Sequence, residues 1–371
     1  MKVAFIAHPL NIGMFSVMAG ESDWNTKLFK KETLKQRLRR KKPFAFLELN
    51  GLLSKTGAKI DLVAIACPFL PDQMIVLDEK EVLEKIIQSV NLAKKEGAEI
   101  VSLGGFTSVI GNEGEKVAKV VNIAVTSGNT YTASLAIQGI LSAADLVGRD
   151  LKKSHIAVFG ATGDIGSACA RVLAKKAHSM SFVARNEKKL DGLASEISKE
   201  NKIDIQVFKT TEDATKKADI IISATSALTT IIDPKNLKKG AIVCDVALPA
   251  NIAREVSRIR KDVLVFEGGL SSVPFIEKIQ DKKWCALMPQ NGIYGCLAEA
   301  LLLGFESKKE NYSIGRGNIT EEKLTEIWKI AQKHGLGLSE FFCGDKFYTK
   351  EEIAFLYNIS IRKGEEAHAN S

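Results

Sequence analysis

No run of eighteen or more apolar residues occurs in the 371-residue chain, so a helix that spans a bilayer is not expected. Proline is scarce, 8 residues against 28 glycines, which excludes Pro-rich disordered and collagen-like classes. The six cysteines (Cys67, Cys169, Cys244, Cys285, Cys296 and Cys343) are scattered. No two take C-x-x-C spacing and no histidines pair at metal-ligand spacing, so neither a disulfide framework nor a metal site is expected. Most of these thiols should be small core residues. A G-x-S-x-G elbow is missing, which argues against a serine hydrolase. No basic segment carries interleaved aromatics, and no nucleic-acid partner is expected.

What is present is a globular composition, 45% hydrophobic and 26% charged, with length enough for two domains. The opening MKVAFIAHPLNIG holds too short an apolar run for a signal peptide and no clean cleavage site. It reads as a first strand, and the protein as cytoplasmic, with room for peripheral membrane contact. The formal charge of +8 favours acidic partners, such as phosphorylated cofactors or an acidic carrier protein. The densest basic run, LKQRLRRKKP from Leu34 to Pro43, suits a solvated helix face as well as a docking patch.

The pattern is α/β. Apolar segments starting at Lys2, Lys59, Glu99 and Val120 read as buried parallel strands, with an amphipathic helix over Glu79–Gly97. The polar stretch DLVGRDLKKS from Asp145 reads as a boundary, which gives a first domain over 1–148. Six further strands start at His155, Met180, Asp204, Ala218, Gly240 and Val263. That is the inventory of a Rossmann-type doubly wound parallel sheet, placed at 149–288. From Pro289 the pattern is helical: one helix over about Tyr294–Ser307, one from Thr320 to a Gly335 cap, and a short one capped by Thr349 and Glu352. This segment, 289–371, is expected to pack back on the first domain, with a frayed tail KGEEAHANS.

Gly160-Ala161-Thr162-Gly163-Asp164-Ile165-Gly166 joins a strand to a helix. Such glycines let the backbone turn tightly beneath a pyrophosphate while the helix N-terminus offers it unpaired N–H groups. The second strand ends in Ala184-Arg185-Asn186, followed by Lys188 and Lys189, with no carboxylate to bind a ribose 2′-hydroxyl. A guanidinium there can pair with a 2′-phosphate, so NADPH is expected rather than NADH. Small residues Ser223-Ala224-Thr225-Ser226 end the fourth strand, where a cofactor lies close to the backbone.

Cys296 stands at the start of an apolar helix, between Gly295 and Leu297. A helix N-terminus lowers a thiol pKa, and a thiolate near a nicotinamide can take an acyl group as a thioester that is then reduced to an aldehyde. The residue type alone suits a core thiol equally. Gly104-Gly105-Phe106-Thr107 and Asn129-Thr130-Tyr131 follow the third and fourth strands, at the end of a parallel sheet where ligands bind. Ordinary turns and caps have the same composition. Glu299, one turn beyond Cys296, reads as a solvent-facing residue.

Six stretches in order, SLGGFTSVI, TSGNTYTA, VFGATGDIGSA, VARNEKKL, YGCLAEALLLGFE and NYSIGRGNIT, resemble the long-chain acyl-acyl carrier protein reductases known from cyanobacteria. The likeness runs from the first strand to about Gly337, and Tyr131 stands where the family's motif commonly carries another residue. The resemblance implies an NADPH-dependent, aldehyde-forming reductase of acyl carrier protein or coenzyme A thioesters, with Cys296 as nucleophile. His8, at the end of the first strand, then suits proton transfer to the aldehyde oxygen, or a plain hydrogen-bonded strand end. Two rivals remain: an NADP-dependent dehydrogenase of the shikimate or amino-acid type, indifferent to Cys296→Ala, and a sensor that binds NADP or acyl groups without turnover.

Overall fold

The computed structural model describes the backbone of residues 1–21, 30–252, 256–289, 292–344 and 346–369, and the side chains of these as far as residue 359. The chain divides into two units, Met1–Tyr131 with Leu270–Ser339, and Thr132–Gly269 with Glu340–Ser371.

In the first unit, strand β1 (Lys2–Ala7) is apolar on both faces and lies at the centre of a sheet. Its alternate residues Ala4 and Ile6 join Val82, Ile86, Val90 and Ala93 of helix Glu79–Lys95 in one apolar cluster. On the other face Val3 meets helix Gly295–Phe305 so closely that a Cβ on Gly304 would lie 2.6 Å from its Cγ1. The remaining strands are β2 (Phe44–Leu53), β3 (Lys59–Ala66), β4 (Ile100–Leu103) and β5 (Ala124–Thr126), in the order β2-β3-β1-β4-β5. β3, β1, β4 and β5 run parallel, while β2 pairs antiparallel with β3. β2 was not expected. Register shifts between Ala45 and Leu47 and between Leu49 and Leu52 break the alternation that marks a strand.

The second unit contains β6 (His155–Phe159), β7 (Ser179–Val183), β8 (Asp204–Phe208), β9 (Ile220–Ser223), β10 (Ile242–Asp245) and β11 (Leu264–Glu267). Their order is β11-β10-β9-β6-β7-β8, all parallel, which is the doubly wound dinucleotide-binding arrangement read from the sequence. The strand order reverses between β6 and β9, the switch point where such sheets take ligands.

The unit boundaries differ from those expected. The first falls between Tyr131 and Thr132, inside the continuous helix Asn129–Leu146, rather than at 148. Residues 289–339 group with the first unit, but 340–371 group with the second. There the Tyr348 hydroxyl bonds both the N–H and the C=O of Val265, and Glu352 pairs with Lys346 and Lys261. Helix Glu321–His334 is capped by Thr320 and by Gly335 in the left-handed region, as read. Thr349 and Glu352 form the capping box, but their helix is long, Lys350–Ala369, and takes in most of the stretch expected to fray, whose last two residues lie outside those described. Among the described residues no helix is long and apolar enough to cross a membrane, and no cluster of three or more metal-ligating side chains occurs.

Candidate active site

Three parallel strands of the first unit end together, and the residues that follow them gather around the start of the Cys296 helix. His8 follows β1, Gly104–Thr107 follow β4, and Ser127–Tyr131 follow β5. Cys296 is the second residue of helix Gly295–Phe305. The Ser102 hydroxyl of β4 donates to its carbonyl at 2.6 Å, which ties the first helical turn to the sheet. Gly128 approaches from the other side. Its φ is +76°, and a Cβ there would lie 2.2 Å from the Cys296 Cα, so only glycine fits.

The Cys296 side chain is half-buried. Burial pushes its thiol up to about 11, while the backbone N–H groups of Gly105, Leu297 and Cys296 itself pull it down and the charge of Glu299 adds to the rise. The lowered thiol expected from the helix start is thus corrected. The N–H groups are in place, but desolvation outweighs them and the resting sulfur is protonated at neutral pH.

His8 is buried and both its nitrogens are engaged. Nε2 accepts the Phe106 N–H at 3.1 Å, and Nδ1 faces the Pro9 carbonyl at 3.4 Å. Burial lowers its pKa to about 4, so the ring is neutral. Its Nε2 lies 2.7 Å from where a Cβ on Gly105 would be, and Gly105 has φ +57°. The N–H of Gly105 faces Cys296 and that of Phe106 faces His8, so one peptide segment links the two side chains. Thr107 donates back to the Gly104 carbonyl at 2.9 Å and closes the turn.

Sequence reasoning missed Glu299. It is fully buried, not solvent-facing. Its carboxylate accepts from the Thr126 hydroxyl and from the N–H groups of Tyr131 (2.7 Å) and Gly128. Burial raises its pKa against those three donors. The one signal was a lone acid inside an otherwise apolar helix. Tyr131 is also fully buried, its hydroxyl 2.9 Å from Ser271 Oγ. Asn129 donates to Glu113 at 3.0 Å, and Thr130 accepts from the Ser313 hydroxyl.

In the second unit the Gly160–Gly166 turn connects β6 to helix Asp164–Ala174, whose N-cap is Gly163. Gly160 has φ +76°, and a Cβ on it would lie 2.4 Å from the Ala224 carbonyl. A Cβ on Gly166 would lie 2.2 Å from the Gly160 carbonyl. This close approach of β6, β9 and the helix start is what a pyrophosphate cradle demands, and the residues present fit NADPH. Ala161 and Asp164 are buried, while Thr162 and Ile165 are half-buried. Arg185 is exposed at the end of β7, its guanidinium 3.4 Å from Ser226 Oγ, and Lys188 is exposed beside it. Asn186 caps the next helix by accepting the Lys189 N–H. Half-buried Ala224 follows β9, and Thr225 donates to Asn251 Oδ1 at 2.7 Å.

The Shikimate / quinate 5-dehydrogenase family profile matches residues 142–267, which span the six-stranded sheet. Over 338 residues the chain is 28% identical to the aminotransferase PigE of a Serratia species, covering 90% of this chain and 39% of that protein's length. Over 299 residues it is 32% identical to the long-chain acyl-[acyl-carrier-protein] reductase of Synechococcus elongatus, covering 76% of this chain and 84% of that protein. Among solved structures, the Delta(1)-pyrroline-2-carboxylate reductase of Thermococcus litoralis, in complex with NADH and L-proline, aligns with TM-score 0.32 at 17% identity, over 57% of this chain and 68% of that one. The cofactor of the reductase is NADPH. On its extended match to the Synechococcus protein, the chain belongs to the family of long-chain acyl-[acyl-carrier-protein] reductases.

Proposed function

We propose that the protein reduces a long-chain acyl thioester, carried by acyl carrier protein or coenzyme A, to the fatty aldehyde through an acyl-enzyme on Cys296. In this reading the first unit takes the acyl group and the second holds NADPH, through the Gly160–Gly166 turn, Arg185 and Lys188. The observation that carries it is the set of backbone N–H groups, from Gly105, Leu297 and Cys296, aimed at a half-buried sulfur at a helix start.

The sulfur gives up its proton as it attacks the acyl carbonyl carbon. A new C–S bond forms, the bond to the carrier sulfur breaks, and the carrier leaves as a thiol with that proton. Bound to its turn, NADPH supplies the hydrogen and electron pair that take the acyl carbon to the aldehyde. The Cys296 sulfur then leaves as a thiolate, and the same N–H groups stabilise it before it is protonated again. These groups lower the energy of a thiolate in both steps without fixing one at rest, in keeping with a thiol that burial holds near 11. His8 keeps the Phe106 N–H, and with it the Gly105 segment, in place. Its neutral ring is held as a donor only toward Pro9, so a role as acid at the aldehyde oxygen requires that ring to turn.

The match of residues 142–267 to the shikimate dehydrogenase family favours one other reading, an NADP-dependent dehydrogenase acting on a hydroxyl or amine. The two part on Cys296. An acyl-thioester reductase yields aldehyde from palmitoyl-coenzyme A and NADPH and loses that activity in Cys296→Ala, whereas the dehydrogenase yields none and is unmoved by the substitution.

A further inference from the structure

We propose that Glu299 is a positioning residue of the acyl-transfer site, its carboxylate holding the Thr126–Tyr131 turn against the first turn of the Cys296 helix. The inference rests on the reading of Cys296 as the acyl acceptor.

A buried carboxylate costs several kcal/mol unless its oxygens are satisfied. Glu299 sits in the helix GCLAEALLLGF, where every other residue from Leu297 onward is apolar or glycine and buried. Three donors meet its two oxygens: the hydroxyl of Thr126 and the N–H groups of Gly128 and Tyr131. Three donors suit an ionised acceptor. The carboxylate also stands at the start of helix Asn129–Leu146, where it takes the Tyr131 N–H, which has no partner within the helix, and where the positive dipole end favours a negative charge.

The geometry links this charge to the nucleophile twice. Cys296 and Glu299 lie three residues apart, hence on one helix face. Gly128, which Glu299 holds by its N–H, stands where any Cβ would meet the Cys296 backbone. One carboxylate therefore sets how far the β5 turn stands from the sulfur. The same turn presents Thr130, bonded to Ser313, and Asn129, bonded to Glu113, which in turn pairs with Arg316. Among the described residues, ionisable side chains near Glu299 and Cys296 include neutral His8 and the buried phenols of Tyr131 and Tyr312, which burial pushes up.

The test uses the full chain with Glu299→Gln, which keeps the shape and removes the charge, and Glu299→Asp, which keeps the charge and withdraws it from the turn. Two readouts are taken: the rate of Cys296 acylation by palmitoyl-coenzyme A, and the pH midpoint of Cys296 alkylation by iodoacetamide, both by intact mass. NADPH affinity, which depends on the second unit, serves as the folding control. Both variants should acylate about tenfold or more slowly than the parent, because the turn is no longer held at its distance. The alkylation midpoint should fall by about one pH unit in Glu299→Gln, where a like charge is gone, and stay in place in Glu299→Asp. Acylation within twofold of the parent in either folded variant overturns the proposal, as does an unmoved midpoint in Glu299→Gln. Should Glu299→Gln not fold, Glu299→Asp decides it alone through its acylation rate. If the parent forms no acyl adduct yet the midpoints move as described, the acyl-thioester reading fails while the placement of Glu299 beside the sulfur stands.

Discussion

Replacing Gly128 by alanine tests whether the β5 turn and the Cys296 helix form one fitted site. The new Cβ would lie 2.2 Å from the Cys296 Cα, 2.5 Å from its Cβ and 2.9 Å from its carbonyl oxygen. Carbon atoms rest at roughly 3.5–4.0 Å, so the turn and the helix must part by more than about 1 Å. Placing alanine at φ +76° costs about 1–2 kcal/mol, and overpacking a fitted site costs about 1–3 kcal/mol more. Together, about 2–5 kcal/mol lowers the melting temperature by roughly 4–20 °C for a unit of this size. A displacement of about 1 Å at a reacting group is worth a factor of about 10² in rate, so acylation by palmitoyl-coenzyme A should slow by that factor. Gly57→Ala is the control: its φ is +85°, but nothing lies within 4 Å of the new Cβ. It should cost only the backbone term and leave acylation unchanged. Both are read by scanning calorimetry and by intact mass against time. A Gly128→Ala protein that acylates as fast as Gly57→Ala refutes the fitted site.

Two further outcomes follow from charge. His8 is neutral in the fold, with its pKa lowered by burial from 6.5 to about 4. Its contribution to stability is complete above pH 6.5 and is lost as pH falls toward 4, about 3 kcal/mol in all. Urea midpoints of the parent should therefore fall over that window more steeply than those of His8→Gln, and parallel curves would contradict the burial argument. Arg185→Ala removes the guanidinium proposed for the 2′-phosphate, worth about 1.5–3 kcal/mol, so the NADPH Kd should rise about 10–100-fold. The NADH Kd should hold, and an equal loss for both cofactors would place Arg185 elsewhere.

Five of the six strands of the second sheet were legible as buried apolar runs and the edge strand β8, which has no buried residue, by its Ile205, Val207 and Phe208, and the Gly160–Gly166 turn because glycine at those positions answers a steric need that no other residue meets. The caps at Thr320, Gly335 and Thr349 were legible because cap chemistry is local. What stayed hidden depends on distant partners. The boundary at Tyr131 lies within an unbroken helix and leaves no mark in composition. β2 was masked by its bulges, which bring side chains out of strict alternation. The Cys296 thiol was expected low from its helix position alone. The burial that raises it brings in distant chain, with Ser102 of β4 on its carbonyl and Gly128 after β5 against its Cα. Glu299 looked exposed for the same reason: its donors lie at 126–131.

The most direct test of the account is the intact mass of the pure protein after incubation with palmitoyl-coenzyme A in the absence of NADPH. The account predicts one added palmitoyl group on Cys296, lost in Cys296→Ala and released as aldehyde when NADPH is added. A protein that binds NADPH normally yet gains no acyl mass, or gains it equally in Cys296→Ala, would contradict it.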